Sequence, residues 1–176
     1  MEALRPFNLL AWVDQNRDKL KPPVGNETIY KGNDDFIVMV VGGPNARKDY
    51  HVNQGEELFY QIEGTMRVGL QKKDGTFTEV SLGPGDMMLV PGGTPHKPMR
   101  PSGTVGLVLE RYRKPQERDG FIWFCENCQN LLHKVEIPVG DIVQDLPAVM
   151  EGFFADKALC TCKNCGTVMQ KPQPLA

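Results

Sequence analysis

The sequence predicts an all-β barrel or sandwich that is preceded by a short helix and followed by a small cysteine-bearing segment. Short apolar or alternating runs such as "FIVMVVGG", "ELFYQIEG" and "VGLVLERY" follow one another up to about residue 112, separated by Gly, Pro and Asp-Gly. Many short strands joined by tight turns are typical of sandwiches and barrels. A chain of 176 residues is long enough to bury one such core and to carry a small appendage.

Cap and turn residues mark the ends of individual elements. Asn8 is placed to cap a short helix, and Pro22–Pro23 ends it, because proline cannot continue a helix. The apolar face of this helix comprises Trp12, Val13 and Leu20. Further on, Asp74-Gly75 predicts a β-hairpin with a two-residue turn, since both residues can supply positive φ angles.

The polar, turn-rich stretch "RKPQERDG" at residues 113–120 indicates a boundary. We therefore expect a barrel with its helix in residues 1–112 and a separate C-terminal segment in residues 113–176. One helical pattern is present in that segment, near residues 141–154.

Composition excludes several classes of partner. The net charge is −2 and the pI about 5.9, so no basic field would attract nucleic acid. The longest apolar run, "FIVMVV", is far shorter than the ~20 residues of a membrane span. No export signal is evident, because Glu2, Asn8 and Asp14 interrupt the N-terminal apolar stretch. We expect a cytoplasmic protein whose five cysteines bind metal rather than form disulfides.

The first candidate site begins at His51. Side chains two residues apart share one face of a strand, so Arg47, Asp49 and His51 can project together. A turn at Gln54-Gly55 then lets the chain return Glu57 to the same cavity as a second ligand.

The third ligand candidate is His96, which follows a rigid Gly/Pro turn and shares a strand face with Arg100. Two imidazoles and one carboxylate form the facial triad of non-haem Fe(II) oxygenases, which leaves open positions for substrate and O₂. Asn53 can leave vacant a coordination position of the metal that a further histidine would fill. Each histidine taken alone has a purely structural interpretation. The pair favours a metal site, because two of only three histidines lie in such turns, each four positions from an arginine.

These motifs resemble those of the cupin β-barrels, in "HVNQGEELFYQIEG" (51–64) and "GDMMLVPGGTPH" (85–96). Asn53 and Arg100 depart from the general cupin pattern, and both departures are similar to those of the 3-hydroxyanthranilate 3,4-dioxygenases. The resemblance covers nearly the whole chain and is most specific in "GGPNARKDYHVN" (42–53) combined with the cysteine tail. It implies a double-stranded β-helix, or jelly roll, and a homodimer.

The resemblance also implies the reaction. Members of this family use Fe(II) and O₂ to open the ring of 3-hydroxyanthranilate. The product, 2-amino-3-carboxymuconate semialdehyde, closes without enzyme to quinolinate, in the kynurenine pathway, NAD biosynthesis or aromatic degradation. His51, Glu57 and His96 would hold the iron, with Glu57 also at the substrate.

The remaining substrate contacts follow from the shape and charge of the substrate. Its carboxylate needs a cation, and the planar fork of arginine fits both oxygens, so Arg47 and Arg100 are the candidates. The default expectation for Glu110 is an outward, solvated carboxylate. The resemblance instead places Glu110 in the pocket, where it would bond the amine or hydroxyl and take part in proton transfer. Asn26 and Ile142 are candidate lid positions.

A second site is indicated by two C-x-x-C turns. Together they can close a tetrahedral four-sulfur site for zinc or iron, which leaves no open position and is therefore structural. By resemblance, this is the rubredoxin-like site of single-barrel family members. Its four ligands would be Cys125, Cys128, Cys162 and Cys165. We expect Cys160 to be a spectator thiol and His133 a surface histidine. A zinc-ribbon module for nucleic acid is disfavoured by the net charge.

Two other functions stay open at this point. One is a cupin oxygenase for another substrate, such as a thiol acid or a catechol. The other is a non-catalytic cupin that binds a small ligand. An open metal triad would serve no purpose in a mere binder, and the arginine pair favours a substrate with a carboxylate.

Overall fold

The structure, a computed structural model, describes residues 6–21, 25–32, 35–140 and 142–173. It has three α-helices and twelve strands in this part of the chain. The helices are α1 (Leu9–Gln15), α2 (Ile142–Ala155) and α3 (Lys157–Cys160). The strands are β1 (Asn26–Thr28), β2 (Phe36–Gly42), β3 (Asn45–Ala46), β4 (Tyr50–Val52), β5 (Glu57–Glu63), β6 (Met66–Gln71), β7 (Phe77–Leu82), β8 (Met87–Val90), β9 (His96–Arg100), β10 (Val105–Arg111), β11 (Asp119–Phe124) and β12 (Leu131–Ile137). None of the described helices is long and apolar enough to cross a membrane.

The strands form two antiparallel sheets. One has the order β1-β2-β10-β5-β8, and the other has the order β12-β11-β4-β9-β6-β7, with β3 paired to β9. Alternate residues of both sheets meet in one apolar core, in which Met39 and Phe59 of the first sheet join Met66, Val68 and Leu82 of the second. Two such sheets around a shared core are the double-stranded β-helix of cupins, so the predicted fold class is confirmed.

The N-terminal helix lies against the outside of the first sheet. Asn8 caps α1 as predicted, its side chain accepting a hydrogen bond from the Ala11 amide at 3.0 Å. Val13 and Leu20 are buried against Val40 and Val105. The helix ends earlier than predicted, because α1 stops at Gln15 and Leu20 belongs to a separate 3₁₀ turn, Arg17–Leu20. Pro22–Pro23 lies outside the described residues.

The hairpin at residues 71–77 forms, but the predicted two-residue turn is wrong. Gly75 has a φ of 84°, whereas Asp74 does not take a positive φ. The Gly75 amide donates to the Lys72 carbonyl at 2.9 Å, and the Asp74 carboxylate accepts from the Thr76 amide at 2.9 Å. This Asp–Thr bond favours a longer loop, 72–76, in which a single glycine supplies the positive φ angle.

Strand β11 joins the barrel to the C-terminal segment. It pairs with β4 on one side, where Phe121 is the register partner of His51, and with β12 on the other. A second apolar core then forms under α2, around Phe121, Trp123 and Phe153. The helix predicted near 141–154 is α2. The division of the chain at residue 112 stays a prediction, and the strand after it belongs to the barrel's larger sheet.

Candidate active site

Two histidines and a glutamate converge between the sheets. His51 on β4 and His96 on β9 are register partners, and Glu57 begins β5 in the opposite sheet. His51 Nδ1 lies 3.3 Å from Glu57 Oε1, and His96 Nε2 lies 3.3 Å from Glu57 Oε2. One ligand atom from each residue lies within 4.8 Å of the others, and all three side chains are buried.

The charge state of Glu57 suits a metal ion. Although burial raises the pKa of Glu57, the two imidazoles lower it well below its usual range, so Glu57 is a carboxylate. Two nitrogen donors and a buried carboxylate that all face one point fit a divalent transition metal such as Fe(II).

Hydrogen bonds orient both imidazoles toward that point. His51 Nε2 donates to Asp119 Oδ2 at 2.6 Å, which turns the Nδ1 edge of the ring toward Glu57. Although burial lowers the pKa of His51, hydrogen bonds to Asp119 and Glu57 raise it to about 9, so a metal ion would have to displace the Nδ1 proton. His96 Nδ1 donates to the Thr94 carbonyl at 3.0 Å, which turns its Nε2 edge toward Glu57. The Phe121 ring stacks on His51 with centroids 5.2 Å apart and fixes its plane.

Further polar side chains close a ring of hydrogen bonds, which we call the carboxylate ring. Asn53 Nδ2 donates to Glu57 Oε1 at 3.2 Å and to Glu110 Oε2 at 2.7 Å. Arg113 Nη2 lies 2.8 Å from Glu110 Oε2 and 2.7 Å from Asp119 Oδ2. In order, the ring comprises His51, Asp119, Arg113, Glu110, Asn53 and Glu57. One guanidinium lies between two of its three carboxylates, and the third, Glu57, faces the two imidazoles.

Opposite pKa shifts occur within this ring. Burial and the nearby Glu57 charge raise the pKa of Glu110. Burial acts in the same direction on Asp119, but hydrogen bonds from His51 and Arg113 outweigh it and lower the pKa of Asp119. Glu110 is therefore the ring carboxylate best able to take up a proton, and Asp119 stays ionised.

Two arginines line the same cavity in different states. Arg100 is 1% exposed, and its Nη1 donates to Gln61 Oε1 at 3.0 Å, while Nη2 has no partner among the described residues. Burial lowers the pKa of Arg100 to about 10, so it is still charged at neutral pH. The Arg47 guanidinium is instead paired with the buried carboxylate of Asp49.

The cavity has a volume of about 590 Å³. Its lining includes the three triad residues, both arginines and Glu110. Leu146, Met150 and Phe154 of α2 cover one side with apolar surface. Asn26 also lines the cavity, whereas the side chain of Ile142 lies outside the described part of the chain. A charged, aromatic ligand of small size fits such a mixture of apolar walls and a few polar groups.

The four cysteines form a second cluster. Cys125 Sγ lies 3.6 Å from Cys165 Sγ, and Cys128 Sγ lies 3.5 Å from Cys162 Sγ. Sulfur atoms around a tetrahedral ion with bonds of about 2.3 Å are about 3.8 Å apart, so the cluster fits zinc or iron. Hydrogen bonds from Thr167 lower the pKa of Cys165 to about 5, which favours the thiolate that a metal requires.

The two C-x-x-C turns have the same backbone pattern. The Gln129 amide donates to the Cys125 carbonyl at 2.8 Å, and the Gly166 amide donates to the Cys162 carbonyl at 2.9 Å. Gln129 has a φ of 59° and Gly166 a φ of 76°. Both turns thus use a left-handed residue directly after the second cysteine.

Comparison with known proteins identifies the family. A profile of 3-hydroxyanthranilic acid dioxygenase matches residues 1–154. A curated 3-hydroxyanthranilate 3,4-dioxygenase of Xanthomonas campestris pv. campestris is 46% identical over 171 residues, or 97% of this chain and 96% of that protein. The enzyme of the same name from Bacillus thuringiensis is 40% identical over 96% of this chain and 93% of that protein.

The chain belongs to the 3-hydroxyanthranilic acid dioxygenase family. Two solved structures are similar at lower sequence identity. A cupin-2 domain containing protein from Shewanella frigidimarina covers 64% of this chain and 100% of its own, with 18% identity and a TM-score of 0.49. Protein NMB1881 from Neisseria meningitidis covers 61% of this chain and 100% of its own, with 19% identity and a TM-score of 0.47.

For this family member, the structure brings the predicted site residues to two places. The predicted iron ligands, both arginines and Glu110 line one cavity, and the four cysteines form the other cluster. Arg47 reaches the cavity from the segment before β4 rather than from that strand itself. The default expectation of an outward Glu110 is wrong, because its side chain is buried in the carboxylate ring.

Two other predictions concern residues near the cysteines. Cys160 is separate from the cluster, and its buried thiol donates to the Phe153 carbonyl at 3.3 Å. The expectation of a surface position for His133 is wrong, because its ring is half-buried against Trp123 and Phe153.

Sequence reasoning missed several residues that contact the site residues, among them Asp119, Arg113, Gln61 and Phe121. Asp119 and Arg113 lie in the stretch that was interpreted as a boundary, and only the pairing of β11 with β4 brings them to His51. Gln61 could have been found, since it shares the inward face of β5 with Glu57 and Phe59.

Proposed function

We propose that this chain is an Fe(II)-dependent dioxygenase that opens the ring of 3-hydroxyanthranilate with O₂. Its curated relatives carry that activity in their names. The observation that carries the proposal is the buried Arg100, whose Nη2 is unpartnered, in the same cavity as an open two-histidine, one-glutamate triad. A buried cation without a counter-charge calls for an anionic ligand.

The proposed roles of the side chains follow from their positions. His51, Glu57 and His96 would hold the iron, which when bound supplies open coordination positions for the aminophenol and O₂. Arg100 and, from the other side, Arg47 would bind the substrate carboxylate and so fix the orientation of the ring. Holding both reactants in one orientation removes most of the entropic cost of their encounter.

Glu110 is the proposed proton acceptor. Its raised pKa brings it closer to neutral pH, where a general base is effective. Asn53 and Arg113 both bond its Oε2, so these contacts hold the carboxylate while Oε1 lies outside the carboxylate ring. Glu110 would accept a hydrogen bond from the substrate amine or hydroxyl and take its proton. Apolar side chains of α2 line the cavity and would shield this step from water.

The product of the proposed reaction contains both oxygen atoms of O₂. Ring opening gives 2-amino-3-carboxymuconate semialdehyde, which closes to quinolinate. The chain would therefore act in the kynurenine pathway, toward NAD biosynthesis or aromatic degradation.

We also propose a cytoplasmic homodimer with zinc or iron in the cysteine cluster. Four of the five cysteines meet in one cluster that could hold a metal ion, and thiolate ligands of this kind are typical of a reducing compartment. Phe36 and Leu89, which are 59% and 52% exposed, flank one depression on the outside of the five-stranded sheet. An exposed apolar patch of this kind is typical of a subunit interface.

The test is a single-turnover reaction. Protein loaded anaerobically with Fe(II) is mixed with 3-hydroxyanthranilate and oxygen, and oxygen uptake and the semialdehyde absorbance are followed. We expect one O₂ consumed per substrate, loss of activity and of triad iron in His96→Ala, and no loss in the matched control His133→Ala. Recovery of intact substrate without oxygen uptake would instead establish a non-catalytic ligand-binding cupin.

A further inference from the structure

Gln61 holds Arg100 in a defined position. Gln61 is fully buried, and its Nε2 donates to the backbone carbonyls of Glu63 at 2.7 Å and Gly64 at 3.2 Å. Because both amide hydrogens are bound in this way, the side-chain oxygen faces Arg100 and accepts from Nη1 at 3.0 Å. The orientation of the amide therefore follows from its backbone partners.

The space around this contact is closely fitted. Gly106 lies beside it, and a Cβ at that position would be 2.6 Å from Arg100 Nη1 and 2.8 Å from Gln61 Oε1. Any larger residue at position 106 would push the guanidinium and the amide out of their places. Glycine there is thus part of the arrangement that positions Arg100.

Arg100 differs from the other buried arginines in the charge of its hydrogen-bond partner. Arg47 is paired with Asp49, and Arg113 is paired with Asp119 and Glu110. Arg100 forms none of the ion pairs found within the described residues, and its hydrogen-bond partner is a neutral amide. A glutamate has nearly the same size as Gln61, but its carboxylate would neutralise Arg100 inside the protein and could not donate to the carbonyls of Glu63 and Gly64.

We propose that Gln61 is a positioning residue that determines substrate specificity by orienting Arg100 without neutralising it. The substrate carboxylate then becomes the counter-ion of Arg100. An aminophenol without a carboxylate leaves the buried cation uncompensated and is rejected. This inference rests on the proposed function, and it explains why a substrate with a carboxylate is preferred.

The test compares two ligands in two variants. Anaerobic binding and steady-state turnover are measured for 3-hydroxyanthranilate and for 2-aminophenol, which lacks the carboxylate, with wild type and Gln61→Glu. We expect Gln61→Glu to weaken 3-hydroxyanthranilate binding about tenfold or more, mainly in KM, because one charge-assisted contact is lost. Binding of 2-aminophenol should be unchanged or tighter, so the preference between the ligands falls.

The controls separate charge from folding. Gln15→Glu adds the same charge on the exposed face of α1 and should leave both ligands unaffected. Gly106→Ala should also reduce the preference for 3-hydroxyanthranilate over 2-aminophenol, because the added methyl group displaces the guanidinium of Arg100. This variant tests the inference if Gln61→Glu does not fold. An unchanged preference, or equal loss for both ligands, would overturn the inference. A wild type that binds 3-hydroxyanthranilate more tightly than 2-aminophenol but consumes no oxygen would refute only the proposed function.

Discussion

Asp119 Oδ2 lies 2.6 Å from His51 Nε2, at a point where the first residue of β11 meets β4. The same oxygen lies 2.7 Å from Arg113 Nη2. Asp119 therefore fixes the tautomer and plane of one predicted iron ligand and is itself held by a cation. Carboxylates in this position raise the basicity of a ligating imidazole and orient it.

Asp119→Asn should weaken metal binding at the triad. Removing such a partner typically lowers metal affinity about 10- to 100-fold. Anaerobic competition titration with Fe(II) measures the change. Glu117→Gln is the matched control, since Glu117 pairs with Arg111 in the same segment. Equal affinities for Asp119→Asn and wild type would contradict the role of Asp119.

Arg100→Ala and Arg47→Ala should both weaken substrate binding while iron still loads. Arg100→Ala should lose about 1.5–3 kcal/mol of binding free energy, the value of one charge-assisted hydrogen bond. The loss should be smaller for Arg47→Ala, because Arg100 Nη2 is unpartnered whereas Arg47 is paired with Asp49. Arg47→Ala should also lower the free energy of unfolding, since it strips the buried Asp49 of its partner. Anaerobic ligand titration and thermal melts measure these effects, with the exposed Arg67→Ala as control. Wild-type affinity in Arg100→Ala would be inconsistent with this assignment.

The stability of the metal-free protein should depend on Glu110 in a defined pH range. A raised pKa in the folded state means that the stabilising contribution is complete below the unfolded value of about 4.3 and is lost as the pH rises through the folded value. Glu110→Gln, which mimics the protonated form, lacks this loss. The melting temperature of Glu110→Gln minus that of wild type should therefore be larger at pH 8 than at pH 4. A pH-independent difference between the two melting temperatures would refute the raised pKa.

Gln129→Gly should stabilise the first C-x-x-C turn. Gln129 is an exposed residue with a φ of 59°, a conformation that costs a residue with a side chain about 1–2 kcal/mol. Glycine removes that cost but adds about 0.5–1 kcal/mol of unfolded-state entropy, so a net gain of about 0.5–1 kcal/mol is expected. Chemical denaturation of the metal-bound protein measures it. The reciprocal change, Gly166→Ala at φ 76°, should destabilise the second turn. A destabilising effect of Gln129→Gly would show that its side chain has a role of its own.

Local sequence patterns predicted the parts of the site that depend on short-range geometry. His96 and Arg100 share one strand, so the two-residue period alone places them on one face. Each C-x-x-C turn presents two thiols by itself. The convergence of Glu57 with the histidines was predicted from a turn and a recognised motif.

Contacts across long sequence separations could not be read in the same way. Asp119 is 68 residues from His51, and their contact depends on the pairing of β11 with β4. The polarity of residues 113–120 resembles that of a surface loop, although Arg113 and Asp119 are buried in the carboxylate ring. The turn at Asp74-Gly75 was mispredicted for a local reason, because a side-chain hydrogen bond to Thr76 competes with the tighter turn.

Strand β11 contributes to both candidate metal sites. Asp119 stands at its first residue, Phe121 stacks on His51, and Cys125 directly follows its last residue. Adding or removing one residue would rotate every following side chain to the opposite face of the sheet. Evolution can therefore vary the composition of this stretch but not its length. Natural variants should carry insertions and deletions in the flanking loops and never between positions 119 and 125.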